Sequence, residues 1–209
     1  MVLLRIGKRE FMTKQNQSFF FASGYASAEQ HGIQSFLFDE ITGKLTAHGS
    51  FTGINAPSFL IAHPNGHWLY AVSETGKGSH GVLGAVWAFR FEREPFSIQP
   101  INQQTTRGDW PCHLQLDATG KWLLATNYGT GNAGIYPLQS DGSLGEITDF
   151  VQHHGKGPNT ARQEGPHAHS SIFTPDNRFA IIADLGIDQL VIYQFESSTG
   201  KLLRHLSVN

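Results

Sequence analysis

The chain has 209 residues and a formal net charge of −2, with 15% charged and 39% hydrophobic residues. That balance gives no electrostatic reason to expect nucleic acid or an anionic membrane as partner, and leaves a small neutral or anionic metabolite as the compatible ligand. Cys112 is the only cysteine, so no intramolecular disulfide can form and an oxidising compartment is not implied.

From the N-terminus, Met1-Val2-Leu3-Leu4-Arg5 places its apolar residues before the basic ones, the reverse of a secretory signal. No apolar run approaches the roughly 20 residues that a membrane helix needs. A cytoplasmic protein is expected. Met12 is a candidate start, because a repeat begins only after it; residues 1–12 are then expected to be a poorly ordered tail ahead of one repeating domain over 13–209.

Three stretches share one plan: residues 57–74, 111–128 and 166–185 each read as an apolar run, a turn and a second apolar run. The turns contain Pro64, Ala118 and Pro175 at corresponding positions, and the pattern is that of a β-hairpin. In the second run of the middle stretch, Trp122 and Leu124 alternate with Leu123 and Ala125, so both faces are apolar, as in a strand sandwiched between sheets. A second hairpin follows each time: Gly32 to Ser50, Val82 to Gln104, Gly134 to His153 and Gln189 to Val208. Two hairpins per period make a four-stranded antiparallel unit. Four strands repeated about every 40–55 residues without helices predict an all-β fold, a β-propeller.

At this level of detail the chain resembles the lactonase family with a seven-bladed propeller, which includes a bacterial 6-phosphogluconolactonase. The likeness runs in order through Asn55-Ala56-Pro57-Ser58, residues 69–74, Pro111-Cys112-His113-Leu114, Ala125-Thr126-Asn127-Tyr128-Gly129, residues 157–170 and Ala183-Asp184-Leu185-Gly186. It implies a hydrolase opening a sugar lactone, 6-phospho-D-glucono-1,5-lactone in the pentose phosphate pathway, without metal or other cofactor. A sugar-phosphate lactone is then the expected small-molecule partner. The same family also resembles muconate lactonizing cycloisomerases, and propellers serve as non-catalytic platforms as well. Members run to about seven units, whereas roughly four are present here. Four units with seven-fold curvature make an open arc, expected to be the N-terminal portion of a longer protein or a truncated reading frame, or to self-associate through its open blade edges.

Residues just before the first apolar run of each unit converge at one mouth of a propeller. His113 occupies that place in one unit, and His167 and His169 in the next; Glu74, Asn127 and Asp184 lie at or next to the matching ends of the following strands. A lactone hydrolase needs a base for water, a donor for the oxyanion and a group for the substrate's anion. Glu164 is read as the general base, with a neutral histidine as the other option. Arg162 suits a phosphate or carboxylate through its planar fork. His113, His167 and His169 are proton donors or orienters, and Glu74, Asn127 and Asp184 are further substrate-binding candidates. A metal site at His153-His154, His167 and His169 is set aside, because neighbouring residues on a strand point apart and no cysteine or carboxylate set completes the sphere. Gly129 to Gly134 fits G-x-G-x-x-G, but the following Ala133 to Leu138 continues as a strand and not as the helix a dinucleotide site requires. Cys112 is read as a small buried filler.

Overall fold

The computed structural model describes residues 2–6, 16–93 and 95–209, and each sequence period there folds into one four-stranded antiparallel sheet. The first contains β1 (Val2–Ile6), β2 (Gln17–Ser23), β3 (Ile33–Asp39) and β4 (Leu45–Phe51). The second contains β5 (Leu60–Ala62), β6 (Trp68–Ser73), β7 (Ala85–Arg93) and β8 (Phe96–Thr105). β9 (Pro111–Leu116), β10 (Trp122–Asn127), β11 (Asn132–Pro137) and β12 (Asp149–Gln152) form the third. The fourth holds β13 (Ala168–Phe173), β14 (Phe179–Asp184), β15 (Gln189–Glu196) and β16 (Lys201–Val208). Strand order in every sheet follows chain order.

The N-terminal stretch differs from the expected tail. Val2–Ile6 pairs antiparallel with β2, Val2 opposite Ser23; residues 1 and 7–12, with the candidate start Met12, lie outside the described residues. The inner hairpins turn at Gly66, Gly120 and Asn177, with φ of 76°, 68° and 59°. These occupy the same place in three repeats, a left-handed position that glycine adopts without cost and asparagine tolerates.

Innermost strands of successive sheets adjoin (β1 with β5, β5 with β9, β9 with β13), and outermost strands adjoin as well (β4 with β8, β12 with β16). The sheets are therefore stacked side by side as blades. Three apolar clusters fill the gaps between them. Phe19, Phe21 and Ile33 pack with Leu69, Phe89 and Phe91 between the first two blades. Leu123 and Ala125 of β10 turn to the second blade, against Tyr70, Val72 and Val86. Leu124 turns to the fourth, against Ala180, Ile182 and Val191. The two-residue period of a strand sends neighbours to opposite faces, so one strand anchors two interfaces. Burying each such leucine stabilises the fold by roughly 1.5–3 kcal/mol. The architecture is an open arc of β-propeller blades.

Candidate active site

The ends of β6, β10 and β14 pair with the starts of β5, β9 and β13, so the loops there share one end of the arc. Backbone hydrogen bonds tie these loops from blade to blade. The Ala56 N–H donates to the Ala26 carbonyl (2.7 Å), Glu74 N–H to Ala56 (3.0 Å), Trp110 N–H to Thr75 (2.8 Å) and Tyr128 N–H to Trp110 (2.9 Å). Ala56 and Trp110 each precede a proline and both take left-handed backbone, φ 45° and 56°. Such a conformation costs a non-glycine residue on the order of 1–3 kcal/mol and persists only where the surroundings hold it.

β9 and β13 each carry one extra residue at this end. His113 pairs with Thr126 and Pro111 with Asn127, leaving Cys112 unpaired; Ala168 pairs with Asp184 and Ser170 with Ala183, leaving His169 unpaired. Such bulges bend a strand and re-aim its side chains. The two bulges meet, with Cys112 Sγ 3.2 Å from the His169 carbonyl oxygen. Burial and the charge of Glu74 push the Cys112 thiol up to about 12, so it serves as a weak donor and not as a thiolate.

Tyr128 organises the imidazoles. His167 stacks on its ring at 4.5 Å, and His169 meets the ring edge-on at 5.8 Å. His167 Nδ1 lies 2.9 Å from the Tyr128 carbonyl, which can only accept, so Nδ1 carries the proton and a neutral ring has its lone pair on Nε2. Glu164 Oε1 is 3.6 Å from that Nε2, with its carboxylate 67% exposed. Arg162 Nη2 donates to the Tyr128 hydroxyl at 3.1 Å. His113 has the opposite arrangement. The Ser171 N–H donates to its Nδ1 at 3.3 Å, which puts the ring proton on Nε2. Burial and the neighbouring His169 lower His113 to about 4, so it is neutral near pH 7. Arg162 and His167 thus gather at Tyr128, and His169 lies beside Cys112 and His113 of β9.

Two expected substrate-binding residues are placed differently. Asn127 is fully buried, its Nδ2 donating to the Thr106 carbonyl (3.2 Å) and Asn132 Oδ1 (2.6 Å). Asp184 is also buried, and its Oδ1 accepts the N–H groups of His167 (2.7 Å), Gly186 (2.9 Å) and Ile187 (3.2 Å). Its Oδ2 bonds His153 Nδ1 at 2.6 Å, with both side chains fully enclosed. Burial works to raise the Asp184 carboxyl, but the His153 and His167 hydrogen bonds outweigh it and hold the group below its ordinary range. Both side chains therefore hold loop backbone in place. Strand ends that look equivalent in the sequence are turned inward because their polar groups are needed by loop backbone.

The sequence reading gives Tyr128 no role of its own and considers His153 only as a metal ligand, a reading set aside. The signal for Tyr128 is present: it follows Asn127 as Glu74 follows Ser73, and so is the counterpart of Glu74 in the next repeat. Nothing in the pattern points to the pairing of His153 with Asp184. Glu74 sits on the neighbouring blade and accepts the Tyr25 hydroxyl at 2.9 Å. The glycine-rich stretch is a turn followed by β11, with Gly131 at φ 61° against Pro166, so it opens no helix toward a phosphate. Among the described residues no three His, Cys, Asp or Glu side chains are grouped to hold a metal ion.

A family model described as Lactonase, 7-bladed beta-propeller, matches residues 19–209. A 6-phosphogluconolactonase of Bacillus subtilis is 31% identical over 172 residues, covering 82% of this chain and 48% of its own. Another from Formosa agariphila is 31% identical over 157 residues, covering 75% and 44%. A solved structure of the periplasmic gluconolactonase of Pseudomonas aeruginosa superposes with a TM-score of 0.80 at 27% identity, over 90% of this chain and 53% of that one. The chain spans about half the length of these relatives.

Proposed function

The chain belongs to the seven-bladed β-propeller lactonase family, and from that membership we propose that it carries the reaction centre of a sugar-lactone hydrolase. The observation that carries the reading is a pair of imidazoles, one on β9 and one just ahead of β13, held in opposite tautomers by backbone groups. His167 presents a lone pair and His113 presents a proton. An ester hydrolysis needs one of each.

His167 Nε2 takes a proton from water as the oxygen attacks the lactone carbonyl. The oxyanion accepts a hydrogen bond from His113 Nε2–H, aided by His169, where one well-placed donor is worth roughly 3 kcal/mol. Collapse breaks the bond from the carbonyl carbon to the ring oxygen, which leaves with the proton from His167. Glu164 steadies the imidazolium from 3.6 Å, and its exposure keeps that contribution small. We therefore assign the base to His167, with Glu164 behind it. Arg162, oriented by the Tyr128 hydroxyl, has a fork suited to an anionic substituent. That fork and the names of the Bacillus and Formosa relatives support 6-phospho-D-glucono-1,5-lactone as substrate, opened to 6-phosphogluconate.

The test is acid release from this lactone in a pH-stat, with spontaneous opening subtracted. His167→Gln is expected to lower kcat by about 10²-fold or more. A loss of about threefold or less, alongside an inactive Glu164→Gln, would move the base to Glu164. Loss of muconate absorbance in place of acid release would identify a cycloisomerase, and neither signal would identify a non-catalytic chain.

A further inference from the structure

Beside the imidazole cluster the same end of the arc has a second opening. Tyr25, Ser27, Asn55, Glu74 and Trp110 line a cleft of ≈ 560 Å³, within the size range of small-molecule sites. Tyr25 is 75% exposed and Trp110 40%, so two large aromatic side chains stand open to solvent in one concavity. The Tyr25 hydroxyl donates to Glu74 Oε2 at 2.9 Å, which leaves Oε1 to accept. Asn55 commits its Oδ1 to the Ala28 N–H at 2.9 Å, which leaves the Nδ2 hydrogens to donate. The lining has no lysine, arginine or histidine, so an anion finds no partner there and meets the Glu74 carboxylate. The walls are fixed: Ala56 and Trp110 are the two left-handed residues tied by the blade-to-blade backbone bonds.

We propose that this cleft binds the neutral polyhydroxylated ring of a carbohydrate. The apolar C–H face lies against the aromatic rings, one hydroxyl donates to Glu74 Oε1, and a neighbouring one accepts from Asn55 Nδ2. A hydroxyl both gives and takes hydrogen bonds, and the cleft offers both directions. An ammonium ligand would also use the rings and Glu74, but it has no use for the amide donor. The proposal rests on the hydrolase reading in one respect, that the ring held is that of the lactone. Glu74 is near enough to Cys112 for its charge to raise the thiol, and Cys112 touches His169. The cleft therefore adjoins the reaction centre and selects substrates by hydroxyl pattern.

The neutral pyranose polyol 1,5-anhydro-D-glucitol serves as probe, titrated into the 209-residue chain. The Trp110 indole N–H resonance, identified by its loss in Trp110→Phe, is followed by NMR. A saturable shift is expected, with a Kd that rises at least about fivefold in Tyr25→Ala and in Glu74→Gln. Tyr25 is exposed, so its truncation empties no core, and amide dispersion reports whether each variant is folded. No saturable shift, or an unchanged Kd in both variants, overturns the proposal. So does a shift caused by choline at lower concentration than by the polyol. Lactone hydrolysis measured in parallel separates the two readings. Polyol binding without turnover removes the hydrolase and keeps the cleft; turnover with unchanged KM in both variants removes the cleft alone.

Discussion

His113 is enclosed by Phe59 on one side, at 4.5 Å between rings, and by Ser171 on the other. Burial and His169 take it from 6.5 to about 4, which has two measurable consequences. Its donor tautomer persists across the neutral range, so the kcat ratio of wild type to His113→Gln is expected to stay constant from about pH 5.5 to 8. A ratio that falls with a midpoint near the ordinary histidine value would show that His113 titrates normally. For stability the sign follows from proton binding: the unfolded chain takes up this proton at higher pH than the folded one. The stability His113 brings is complete above pH 6.5 and is lost as the pH falls from there through about 4. Denaturant titrations of His113→Gln are expected to show a flatter dependence over that window. The sequence marks His113, His167 and His169 by their place ahead of an apolar run and Arg162 by its planar fork, and the structure puts all four at one end of the arc. It cannot show which nitrogen bears the proton, because that depends on the Ser171 N–H and the Tyr128 carbonyl, which no local pattern connects to these rings.

At the level of elements, the loop from 157 to 167 is seated on the β14 end through Asp184 and through a close approach of backbones. A Cβ on Gly186 would lie 1.9 Å from the Gly165 carbonyl oxygen and 2.7 Å from the His167 nitrogen. Neither atom is a flexible side chain, so the loop must shift. Gly186→Ala is expected to cost about 1–3 kcal/mol of stability and to lower kcat/KM at least about tenfold through misplacement of His167. Gly78→Ala, whose Cβ meets nothing within 4 Å, provides the control. If both variants behaved alike in thermal unfolding and turnover, the loop's seating would be irrelevant to the chemistry. Hairpins and their turns are legible in the sequence, since Gly66, Gly120 and Asn177 recur at matched places. The bulges at Cys112 and His169 are not. One extra residue at a strand end leaves the apolar alternation downstream intact, so the pattern has no mark of it.

On the scale of the whole molecule, the period near fifty residues reveals the blades, and the two-faced strand Trp122–Asn127 reveals that they stack. The clefts between loops do not show in a linear pattern, because Tyr25, Asn55, Glu74 and Trp110 come from separate repeats. Each apolar cluster joins only one pair of neighbouring blades. Cooperativity is therefore passed along the arc from neighbour to neighbour, and opening at one point need not release the rest. β10, covered on both sides, is expected to exchange its amide hydrogens most slowly, and β15 and β16, where Leu190, Leu203, Leu206 and Val208 are exposed, several-fold faster. Uniform protection across all four sheets would mean that the blades unfold as one. If the gradient is found, the two halves of the proposed reaction centre rest on ground of unequal firmness: His113 on the slow-exchanging blade, and His167 on the one that breathes.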